Sequence, residues 1–60
     1  MKRNDLIKLF EKNGWWLKRE GGNHSVYTNG TKTEQIPRHN EIKEPLAKAL
    51  IKRNNLKGGN

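Results

Sequence analysis

Cysteine is missing from all 60 residues, which removes disulfides, thiolate metal sites and a cysteine nucleophile together. The two histidines, His24 and His39, have only six carboxylates to join them around a metal, none at a recognisable ligand spacing. Neither a metal nor another cofactor is expected. Apolar residues never run beyond three in succession, so no segment is long enough to span a bilayer. No apolar stretch follows Met1-Lys2-Arg3 in the manner of a secretory signal, and the expectation is a soluble, cytoplasmic protein without a membrane partner. Acid is scarce as well. Six Asp and Glu stand against thirteen Lys and Arg, for a net charge of +7 and a pI near 10.2. Charge of that size on so small a body attracts polyanions, whether nucleic acid, an anionic membrane or an acidic protein.

What is present reads as one small α+β domain over residues 1–57, with 58–60 expected to be a disordered tail. A chain this short buries only about 60% of the surface it exposes when unfolded, so its core is thin and a protein partner is the natural staple. Asn4 or Asp5 is placed to cap a first helix over residues 4–13, in which Leu6, Leu9 and Phe10 recur at helical spacing with Ile7 beside them. Gly14 reads as the left-handed residue that ends it, with Trp15 packing back on Phe10. Three short strands follow. Residues 15–20 put Trp15, Leu17 and Arg19 on one face; residues 23–28 carry Val26 and Tyr27 on opposite faces; residues 31–36 return, ended by Pro37. Asn29-Gly30 predicts a type I′ hairpin turn between the second and third strands. Trp15 belongs to the core, while Trp16 fits either core or a surface that stacks bases. A second helix has Pro45 in its first turn and Ile42, Leu46, Ala49, Leu50 and Arg53 along one face, with Leu56 closing the core. The order α-β-β-β-α implies a three-stranded antiparallel sheet with both helices on one face, matching double-stranded-RNA-binding domains.

The chemistry concentrates at Gly21-Gly22-Asn23-His24. Two glycines permit unusual backbone conformations and let a ligand approach the main chain closely. A histidine follows, a residue type whose side chain can take or give a proton under cellular conditions. Lys18 and Arg19 precede it, and Lys32, Arg38 and His39 come after; these cations, with Gly22 and Asn23, form the expected RNA-contacting set. Strand parity leaves open which sheet face His24 takes, and Tyr27, Arg19 and His39 all remain candidates for a second acid–base group.

In order and spacing these features resemble the HicA family of type II toxin–antitoxin mRNA interferases. The likeness covers residues 4–56: Gly14-Trp15 after a short helix, Gly22-Asn23-His24 with Tyr27, Ile36-Pro37-Arg38-His39, and a closing basic helix. It implies a fold like that of a double-stranded-RNA-binding domain, and a metal-independent endoribonuclease whose histidine in a Gly-Ser-His motif is required for cleavage. His24 matches that histidine, and Asn23 stands where serine is commoner. The resemblance further implies an mRNA substrate and a HicB-type antitoxin that covers the basic face and His24. No direct DNA binding by the toxin is expected, since no DNA-reading helix is evident. The other reading of the same basic surface is an RNA-binding module without catalysis. Cleaved product in EDTA separates the two.

Overall fold

A computed structural model describes residues 1–58. It contains α1 (Arg3–Lys12), β1 (Trp16–Glu20), β2 (His24–Thr28), β3 (Thr33–Pro37) and α2 (Glu44–Arg53). The strands form one antiparallel sheet in the order β1-β2-β3, so the α-β-β-β-α architecture expected from the sequence is the one observed.

The end of α1 follows directly from its sequence. Gly14 takes φ +85°, and the N–H groups of Gly14 and Trp15 donate to the carbonyls of Glu11 and Phe10 at 3.1 Å each. This is the Schellman arrangement, closed by an edge-on contact between the Phe10 and Trp15 rings at 4.9 Å. The start of α1 departs from expectation. The cap is Lys2, which makes no side-chain capping bond, and neither Asn4 nor Asp5 serves. Long-range backbone pairing replaces it: Lys2 bridges Glu41, Arg3 N–H donates to Asn40, and Ile42 N–H donates to Met1.

The same pairing resets α2. Residues 41 and 42 are held extended, so the helix begins at Glu44 and Ile42 enters the core from outside it. The helical phase therefore shifts. Ala47 and Leu50 are buried, whereas Ala49 and Leu46 are exposed, in place of the expected face through Leu46 and Ala49. Arg53 does not lie over the core but pairs with Glu34 of β3 through two bonds of 2.9 Å. Asn55, with φ 52°, ends α2 as Gly14 ends α1, and the Leu56 N–H donates to Ile51. Lys57, the last residue of the expected domain, is tied to Asn13 by two hydrogen bonds. Of the expected tail, residues 59 and 60 lie outside the described residues.

Register assigns the two faces of the sheet. Residues directly opposed across an antiparallel pair share a face, and successive residues alternate. Tyr27 and Ile36 belong to the core cluster with Leu6, Phe10, Ala47 and Leu50, so their face is the one both helices cover. Glu20, Ser25 and Glu34 share that side. The opposite face carries Trp16, Arg19, His24, Val26, Thr28, Thr33, Gln35 and Pro37, and no helix covers it. The reading that grouped Leu17 with Arg19 is corrected here. Lys18 is the extra residue of a β-bulge, so Leu17 opposes Tyr27 while Arg19 opposes Val26, on the other face.

Candidate active site

Two hairpin loops flank β2, and His24 stands at the first. The Gly21 N–H donates to the His24 carbonyl at 2.8 Å, which closes residues 21–24 into a tight loop. Neither Gly21 nor Gly22 has a positive φ, so left-handed backbone is not why glycine stands there. Space is the reason at Gly21. A Cβ at that position would lie 3.0 Å from the His24 carbonyl oxygen, and no such neighbour exists at Gly22. Gly21 lies opposite His24 on the open face and leaves a slot without a side chain, with the Arg19 guanidinium alongside.

His24 therefore projects onto the uncovered face at the N-terminal end of the central strand, half-buried, opposite Pro37. The chain beyond Pro37 brings Arg38 and His39 to the same place. Gly22, Asn23, His24, Arg38 and His39 line one open cleft. Five of the eight residues singled out in the sequence converge there. The other three do not: Arg19 is next along the open face, Lys18 sits in the bulge, and Lys32 belongs to the loop at the far end of β2.

Arg38 has a task the sequence did not disclose. Its guanidinium donates to the carbonyls of Gly21 and Gly22 and to the Glu20 carboxylate at 2.8 Å, clamping the loop that presents His24. Glu20 also accepts from Ser25 Oγ at 2.7 Å, and Ser25 Oγ accepts from Arg3 at 2.6 Å. Arg3 reaches on to the Pro37 carbonyl at 2.8 Å. The bonds from Ser25 and then from Arg38 hold the Glu20 carboxyl below its ordinary range. Arg3, Glu20 and Ser25 thus fix the loop from the helix side. Sequence reasoning missed all three, because Arg3 is separated from Ser25 by 22 residues and nothing local links them.

Tyr27 is removed from the acid–base candidates. It is on the helix face, packed 6.5 Å from the Phe10 ring centroid, and burial raises its phenol above the usual range. His39 and Arg19 remain near His24. At the far hairpin, the expected type I′ turn gives way to a four-residue loop. Asn29 keeps an ordinary φ and its side chain accepts from the N–H groups of Thr31 and Lys32, leaving only Gly30 with positive φ, at +94°. The third strand consequently starts at Thr33. Among the described residues, no group of three or more His, Asp or Glu is arranged to hold a metal, and no helix is long and apolar enough to cross a membrane.

Comparison with curated proteins and with solved structures gives no match. The model of one family, described as the HicA toxin of bacterial toxin-antitoxin systems, matches residues 3–56. That match spans both helices, the whole sheet and the His24 loop, and the chain belongs to the HicA toxin family.

Proposed function

We propose that this toxin is a metal-independent endoribonuclease that cuts mRNA in the cytoplasm, with His24 as its acid–base residue. The observation that carries the reading is the place of His24: an imidazole at the mouth of an open cleft, on the one sheet face that no helix covers. Support for an RNA substrate comes from the +7 charge. His24 takes the proton from a ribose 2′-hydroxyl, whose oxygen attacks the adjacent phosphorus. The 5′-oxygen leaves and gains a proton from water, so the products are a cyclic phosphate and a 5′-hydroxyl end. Arg19, beside Gly21, offsets charge growing on the phosphate. Arg38 acts mainly through the loop, since three of its five N–H donors are engaged by Glu20 and the two glycine carbonyls. Asn23 and His39 line the substrate's path.

Membership of a toxin–antitoxin family implies an antitoxin partner. In this reading the partner is of the HicB type and neutralises the toxin by covering His24 and the basic face.

Purified protein incubated with labelled mRNA in EDTA yields fragments with 5′-hydroxyl ends. His24→Ala, shown folded by circular dichroism, loses about 10²-fold or more in cleavage rate, the lower range for a positioned proton transfer, and no longer arrests growth. A folded His24→Ala protein that still cuts RNA and still stops growth refutes the assignment. RNA bound but never cut by the parent protein returns the surface to a non-catalytic binding role.

A further inference from the structure

The open sheet face separates charge in a way that the active-site loop alone does not require. The strands contribute two carboxylates, Glu20 and Glu34, and both are turned to the helix side. Each is consumed there by an arginine, Arg38 and Arg53 respectively. None of the strand residues on the open face is acidic. Arg19 lies on that face, and Lys18 and Lys32 flank it; among the described residues none of the three forms an ion pair. A surface with cations kept free and anions turned away is complementary to a polyanion.

Trp16 supplies the second observation. It is 52% exposed on this same face, whereas its neighbour Trp15 is 4% exposed in the core. Its ring is steadied by the far hairpin, with Cη2 3.4 Å from where a Cβ on Gly30 would stand. Trp16 opposes Thr28, four residues along β2 from His24, so the two side chains are about 13 Å apart along the strand. Arg19 sits between them. Val26 and Thr28, on the central strand of the same face, are 5% and 8% exposed.

We propose that this face is the track for single-stranded RNA, with one base stacked on Trp16 and the backbone held by Arg19 on its way to His24. The proposal rests on the ribonuclease reading for the identity of its ligand, and on the geometry for everything else. Stacking on an indole requires an unpaired base, which a duplex does not offer. The cations then hold the phosphates without reading sequence.

The test uses a labelled single-stranded RNA with 2′-O-methyl riboses, which lacks the attacking hydroxyl, bound to the whole protein. Trp16→Ala weakens binding by roughly 5- to 150-fold, the range for loss of one base–aromatic stack. Trp16→Phe retains most of the affinity, and Arg19→Glu, a change at an exposed position, weakens binding without touching the core. A duplex of the same length binds less tightly and is indifferent to Trp16. Equal binding by the parent, Trp16→Ala and Arg19→Glu proteins overturns the proposal and leaves the face to a protein partner. Tighter binding of the duplex overturns it too. Because this RNA has no nucleophile, the outcome is independent of whether His24 proves catalytic.

Discussion

Gly21 and Gly22 are adjacent in the loop that presents His24, yet their surroundings differ. A methyl group at Gly21 meets the His24 backbone carbonyl at 3.0 Å, and that carbonyl is already held by the Gly21 N–H. The backbone carbonyl must give by a few tenths of an ångström for the methyl to fit, and with its hydrogen bond to hold, the expected cost is about 1–3 kcal/mol, as for other overpacked sites. Gly22 has open space around the same position and an ordinary φ. Gly21→Ala is therefore expected to lower stability in urea unfolding and to depress cleavage with it, while Gly22→Ala stays within about 0.5 kcal/mol. Equal effects at the two positions would show that the loop is not packed as described. Glu20 belongs to the same scale. Its carboxyl is held below the ordinary 4.5 by Ser25 first and Arg38 second. A lowered folded value means that this group's support of the loop is complete above pH 4.5 and is lost as pH falls through the lowered value. The Arg38 clamp is thus intact at neutral pH, where an imidazole titrates.

Both helices end on a left-handed residue followed by a buried apolar one, Gly14 with Trp15 and Asn55 with Leu56. In each case two backbone N–H groups turn back on the last helical carbonyls, and the apolar residue is delivered to the core. Gly14→Ala forces an L-residue into φ +85° in otherwise open space, and is expected to cost about 1–2 kcal/mol by thermal unfolding. A loss below a few tenths would mean that the helix end re-forms without that conformation. The first of these ends was legible in the sequence, because Phe10, Gly14 and Trp15 carry the whole motif within six residues. The start of α1 and the place of Ile42 ahead of α2 were not, although Pro45 does stand in the first turn of α2 as read. They depend on Lys2 meeting Glu41, a pairing 39 residues apart, and that contact also moved the buried face of α2 from Ala49 to Ala47. The Asn29 loop was missed for a nearer reason: its side chain bonds the backbone ahead of it and removes the need for a left-handed Asn.

Across the whole molecule, excess positive charge and a thin core pull in the same direction, toward partners that neutralise one and cover the other. If Arg19, Lys18 and Lys32 are the cations that meet the backbone, single-stranded RNA binding weakens with salt with a log–log slope of roughly −2. A filter-binding titration across salt concentrations measures it. A slope near zero would exclude phosphate contacts as the main source of affinity, and a much steeper one would add the lysines of α2 to the interface. The amino-acid sequence by itself determined the element order, the absence of a thiol, the basic charge, the Gly14 helix end and the identity of His24 as the group to examine. Each of these rests on composition or on neighbours within a few residues. Only the tertiary structure decided that His24 faces away from the helices, that Tyr27 faces toward them and that Arg38 is bound to the loop. One inserted residue at Lys18 separates Leu17 from Arg19, and pairings between distant strands and helices set the rest. Faces and registers of a sheet are long-range properties, and residue spacing along one strand does not contain them.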